Sequence, residues 1–350
     1  MNLINSFNEN KYFPWKNRMS IYRHIKNNLN KYEKLTSDGH KLPDSDFFDD
    51  NTDNTHLFDN LDKILNNSVS NKENDIKLAQ YIKKISLYPK LEDKIEFYKI
   101  AMKPNTSYII ENVCREIKRL NIKANDNLYE WIEFLIFESP DREIVKLGIA
   151  LIGTFNLNSF KGDLKILATH DEFSLLVFES LSRMSSYSES DLFELAKKVD
   201  GWGRIQLVER LSKTNNQAIK HWILTQGYKN SIMYDYLAYT AADSGDLKYA
   251  LSKDIVDKDI LFAARDIIES LILETNLVGI SIYPYAAETI ELFIEHTLGD
   301  YDFHGHCVYK YIYEYVTDEN KAWDYYKDNG WTNEKRTKIA KMLEEYKLIS

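Results

Sequence analysis

The sequence predicts an all-α protein, an α-α superhelix of stacked helix pairs with an N-terminal helical capping region. Apolar residues recur with the helical period over most of the chain, as in Ile144, Leu147, Leu151, Ile152 and Phe155, which share one helix face. No segment alternates apolar and polar residues between hairpin turns. Similar phrases also return: GDLKILATHDEFSLLVFESL from Gly162, SDLFELAKKVDGWGRIQLVERL from Ser190 and GDLKYALSKDIVDKDILFAARDIIESL from Gly245. Each opens on a small residue, Asp and Leu, then a short helix and a long one, with the small-Asp step as the expected cap. Between 200 and 271 the amphipathic segments begin near Arg204, Ile232 and Ile260, a spacing of about thirty residues as in helical repeats. Such units cannot bury their apolar faces alone, so they must stack.

Taken in order, residues 1–125 read as the N-terminal capping region. Ile21, Ile25 and Leu29 at spacing four predict a first helix to about Leu35. Residues 36–62 form an acidic loop with Asp38, Asp44, Asp46, Asp49, Asp50, Asp53, Asp59 and Asp62. Closely spaced carboxylates suit a hard cation such as calcium. Asp44 and Asp46, however, are followed by Phe47 and Phe48, without the turn Gly and closing Glu of a twelve-residue calcium loop. A solvated acidic connection with both rings against the body is the expectation.

Helices are predicted near 72–87, 91–102, 105–120 and 127–138, with Pro89, Pro104, Pro140 and Pro284 at the breaks. Residues 126–317 hold the repeats, with apolar faces again over 173–184 and 260–272 and long helices near 285–297 and 307–316. The charged 333–348 stretch, within 318–350, is the polar C-terminal capping helix that the end of such a stack requires.

A chain of 350 residues with 44% hydrophobic content can bury a sizeable core. Its formal net charge of -9 argues against duplex nucleic acid or an anionic membrane as the main partner. Cys114 and Cys307 stand far apart with no CxxC, which indicates neither a disulfide framework nor a thiolate zinc site. No apolar run reads as a secretory signal or a membrane span, so a cytoplasmic protein is expected. No GxGxxG, P-loop, GxSxG, HExxH or Glu-x-x-His occurs, and no cofactor is expected.

The short-long helix pairs over 126–317 resemble the HEAT-like repeat family of α-solenoids. The stretches THDEFSLLVFESL and DGWGRIQLVERL also resemble a group of bacterial proteins, some labelled limonene hydroxylase. That label implies a monooxygenase, yet the flavin, haem and di-iron ligand patterns such chemistry needs are missing from the sequence.

The HEAT-like resemblance implies a binding surface, and the expected function is a non-enzymatic adaptor holding a protein partner, a basic one by charge, in an immunity-like or regulatory role. The candidate binding residues are Trp202, Arg204, Glu209, Tyr234, Tyr239 and Asp243. Tyr309, Tyr311, Tyr313 and Tyr315 fall on several sides of one helix, so some should be exposed, and exposed tyrosine is enriched at interfaces. Two other classes compete. HEAT-like DNA-repair glycosylases use tryptophans, an Asp and basic groups, here Asp200, Trp202, Arg204 and Trp222; such an enzyme needs a basic channel. A metal-dependent enzyme would draw on His296, His304, His306 and Cys307, donors suited to zinc or copper. Against both, Gly201 and Gly203 can make a turn that Trp202 packs across, Arg204 can cap locally, and Cys307 can be buried at a helix start.

Overall fold

The computed structural model describes residues 13–47, 72–102, 107–232, 235–273 and 278–345. Among them the architecture is all helical, and the one β-type pairing is an isolated bridge between Leu29 and Leu35. Contacts divide the chain into two compact units, Met1–Asp191 and Leu192–Ser350.

The first unit contains α1 (Ile21–Asn27), α2 (Lys72–Leu87), α3 (Leu91–Ala101), α4 (Ser107–Arg119), α5 (Asp126–Phe137), α6 (Arg142–Phe155), α7 (Lys161–Leu167) and α8 (Asp171–Ser182). α2 packs on α4, α4 on α6 and α6 on α8, while α5 covers α2 and α6, and α7 covers α8. The periodicity of α6 dictates this: Ile144, Leu147, Leu151 and Ile152 are all fully buried, each worth about 1.5–3 kcal/mol relative to exposure. α6 and α8 run parallel. Arg142 at the start of α6 reaches Glu172 at the start of α8, and further along Ser180 Oγ donates to the Ile149 carbonyl at 2.8 Å. Parallel neighbours two helices apart are the local geometry of an α-solenoid, with which the unit is compatible.

The N-terminal segment does not sit at the end of this row. α1 lies against both α5 and α7, in the gap between them. Ser20 Oγ donates to the Phe137 carbonyl at 2.6 Å, Ile21 N–H to the Ser139 carbonyl at 3.0 Å, and Tyr22 Oη to Asp163 at 2.6 Å. α1 also stops at Asn27, short of Leu35. Asn30 Oδ1 accepts from the Tyr32 and Lys34 N–H groups and Glu33 takes a positive φ, so local side-chain bonds turn the backbone out of the helix.

Residues 36–47 continue as a strap that caps α6 from afar. The buried Asp44 carboxylate accepts from the Arg142 N–H at 2.7 Å, the first N–H of α6, and pairs with the Arg142 guanidinium at 2.9 Å. Arg142 also meets Glu172, and Lys146 joins Glu172 to Glu143. Burial favours the neutral Glu172 carboxyl, but Lys146 and Arg142 prevail and its pKa is lowered. Asp44 is thus an internal structural anion. The rest of the acidic loop, from Phe48 through Asp62, and the Phe47 side chain lie outside the described residues.

The small-Asp steps do not act as one repeated cap. Asp163 sits inside α7 and accepts from Tyr22. Asp191 lies in the first turn of α9 (Glu189–Ala196) and takes the Ser188 N–H together with Lys161 and Lys165. Asp246 holds an N-cap position in a left-handed conformation without a side-chain cap bond.

The second unit contains α10 (Gly201–Leu211), α11 (Gln217–Trp222) running into a π-turn (Ile223–Gly227), α12 (Asp235–Ser244), α13 (Leu247–Leu251), α14 (Lys258–Leu273), α15 (Ala286–Thr297), α16 (Cys307–Thr317) and α17 (Asn333–Glu345). α10 packs on α12, α12 on α14 and α14 on α16; α13, α15 and α17 make a second row. In α17 only Ile339 and Leu343 are buried, leaving the remaining faces to charged residues. No described helix is long and apolar enough to cross a membrane.

Candidate functional site

Gly201 begins α10 with φ +56°, a conformation that costs glycine little and lets the chain turn sharply after Asp200. The Asp200 carboxylate accepts from the Ser231 N–H at 3.0 Å, fastening the segment before α12 to the start of α10. Arg204 turns inward, where its guanidinium donates to the carbonyls of Val199 at 2.9 Å and Lys229 at 2.7 Å. Burial lowers its pKa despite Asp200 nearby. Arg204 therefore points inward and closes a loop between the Val199 and Lys229 carbonyls.

On the outer side of α10 the Trp202 ring meets Tyr236 of α12 edge-on at 4.9 Å, and Glu209 accepts from Thr240 at 2.6 Å. These two contacts hold α10 and α12 parallel. One turn beyond Tyr236, Tyr239 packs edge-on against Tyr283 at 6.3 Å, and Tyr283 against the half-exposed Tyr285 at 6.1 Å. Lys248 lies over the Tyr285 ring at 5.3 Å. Burial pushes the Tyr283 hydroxyl up to about 12. Burial, then the Asp243 carboxylate one turn on, raises that of Tyr239. Of the sequence-predicted binding set, Trp202, Glu209, Tyr239 and Asp243 come to this α10–α12 region. Tyr234 lies outside the described residues. Tyr285 and Ile282, both exposed above the buried Tyr283, adjoin this region and were missed; the signal was the Ile-Tyr-Pro-Tyr string, in which the proline breaks the helix pattern and leaves the rings in a turn.

The four tyrosines of α16 divide. Tyr309 and Tyr315 are buried, while Tyr311 and Tyr313 are half-buried, the latter donating to Glu344 at 2.7 Å.

The histidines separate as well. His296 Nε2 is bound to the Leu251 carbonyl at 2.8 Å, and His304 is exposed at the end of a short 3-10 turn. His306 is the N-cap of α16, its Nδ1 accepting from the Val308 N–H at 3.2 Å. Cys307 follows, exposed and not buried at the helix start. Its Sγ lies 3.7 Å from His306 Nδ1 and 3.5 Å from Glu269 Oε1 of α14. Donor atoms of Glu269, His306 and Cys307 all fall within 4.8 Å of one another. The metal-competent group among the described residues thus keeps His306 and Cys307, leaves out His296 and His304, and adds Glu269. Nothing in the sequence singled out Glu269, because only the packing of α14 on α16 brings it to the thiol.

The glycosylase set is occupied locally. Trp222 packs edge-on against Phe193 at 5.3 Å, Trp202 against Tyr236, and Asp200 and Arg204 hold backbone groups. Compared with models of known protein families, with curated proteins and with solved structures, the chain matched none.

Proposed function

We propose that this chain is a non-enzymatic binding protein, a solenoid-type adaptor of the cytoplasm that holds a basic protein partner on the surface built by α10, α12 and the turn at 278–285. The observation that carries the reading is the set of rings Trp202, Tyr236, Tyr239 and the half-exposed Tyr285, the last two packed on the buried Tyr283 and the set bordered by Glu209, Asp243 and Asp246. Rings fixed by their neighbours offer large contact area at low entropic cost. Carboxylates at the border, with an overall charge of -9, steer a basic partner and suppress acidic ones. An immunity-like or regulatory partner of a basic toxin or nuclease is one concrete form of this reading.

The test is a pull-down from native cytosol with the intact chain and with two variants, Tyr285→Ala and Asp243→Lys. A stoichiometric protein captured by wild type and lost or weakened at least ~10-fold by each variant supports the reading, ~1.4 kcal/mol being the least expected of an interface anchor. Capture that is insensitive to both substitutions places the interface elsewhere and defeats it. Binding that does not weaken with salt removes the electrostatic part.

A further inference from the structure

We infer that Glu269, His306 and Cys307 form a binding site for a zinc-class divalent cation, a property separate from the binding surface proposed above. Three unlike donors, a carboxylate, an imidazole and a thiol, converge from two helices that pack on each other. Their spacing suits one ion. Zinc bonds of about 2.3 Å to sulfur and about 2.0–2.1 Å to nitrogen or oxygen at tetrahedral angles set ligand-to-ligand edges of roughly 3.5 Å. The sulfur stands 3.5 Å from the Glu269 oxygen and 3.7 Å from the His306 nitrogen.

The chemistry of the group calls for a cation. A carboxylate beside a thiol repels the thiolate, and a divalent ion bound to both removes that repulsion. Thiolate and imidazole select zinc over calcium or magnesium, which take oxygen ligands. Binding through Nδ1 exchanges the hydrogen bond from the Val308 N–H for coordination, so the ion replaces one cap of α16 with a link from α16 to α14. Tyr311, one turn along α16, places its hydroxyl on the Cys307 sulfur and steadies it. Cys307 is exposed, so the fourth position faces solvent and takes water, the open type of site.

The experiment is a titration of the chelator-treated, full-length protein with cobalt(II), followed by competition with zinc. A sulfur-to-cobalt charge-transfer band saturating at one equivalent, with the strong visible bands of tetrahedral cobalt, and displaced by one equivalent of zinc, is the expected result. Cys307→Ser abolishes the charge-transfer band. Glu269→Gln and His306→Asn weaken binding by about 100-fold or more, and Asn at 306 still offers an oxygen to cap α16, so loss of the ligand is separated from loss of the helix start. His304→Ala leaves the titration unchanged. Absence of the band, its survival in Cys307→Ser, unaltered affinity in Glu269→Gln, or loss of binding in His304→Ala each overturns the site.

Discussion

His170 joins α8 to the N-terminal strap: its Nε2–H donates to the His40 carbonyl at 3.1 Å while its Nδ1 accepts from the Glu172 N–H at the same distance. The two partners fix the neutral tautomer, because a backbone carbonyl takes only a proton and a backbone N–H takes only a lone pair. Burial pushes the His170 pKa down to about 4, with the His40 bond opposing it.

Stability should therefore fall in acid. Between about pH 6.5 and 4 the unfolded chain binds a proton at His170 that the folded chain does not, so this contribution is complete above 6.5 and is lost as pH falls towards 4, by up to ~3 kcal/mol. Urea midpoints measured from pH 7.5 to 4.5 should drop, and His170→Asn, which can still cap α8, should flatten the profile. An equally steep profile in the variant would assign the acid sensitivity to other groups.

Asp44 and Arg142 lie 98 residues apart in sequence and close the strap over α6. Removing Asp44 strips a carboxylate partner from the largely buried Arg142 guanidinium, which also meets Glu172. Asp44→Ala should cost about 3 kcal/mol and speed proteolysis within 36–47. A loss under ~1 kcal/mol with unchanged cleavage would mean that the strap is held by its other contacts.

Gly153 sets how closely α6 approaches α8. A Cβ there would stand 2.7 Å from Ser180 Cα, which is backbone and cannot rotate away. Gly153→Ala should cost about 1–3 kcal/mol through displacement of α8, whereas Gly162→Ala, where a Cβ meets nothing within 4 Å, should be neutral or slightly stabilising. Thermal melts of the two variants read the difference directly.

Arg204→Ala should leave the Val199 and Lys229 carbonyls without their charged donor and destabilise by about 2 kcal/mol. Partner binding per folded molecule should stay within ~3-fold, under ~0.7 kcal/mol. Affinity lost in a variant of unchanged stability would return Arg204 to the binding surface.

The sequence by itself determined that the chain is helical and where most of its helices run. Helical periodicity and proline breaks are local properties, so segments such as 72–87 and the faces of 144–155 and 260–272 were legible from spacing alone. Trp202, Glu209, Tyr239 and Asp243, singled out in the sequence, lie on α10 and α12, which pack on each other. The tertiary structure decided what depends on contact between distant residues. Only it set α1 between α5 and α7 and the strap on α6, through bonds from Ser20, Tyr22 and Asp44 to residues over ninety positions away. Only it drew Arg204 inward to two carbonyls and brought Glu269 to Cys307. Periodicity says which face of a helix is apolar; which polar groups meet across two faces is decided by register and helix order, which the pattern does not encode.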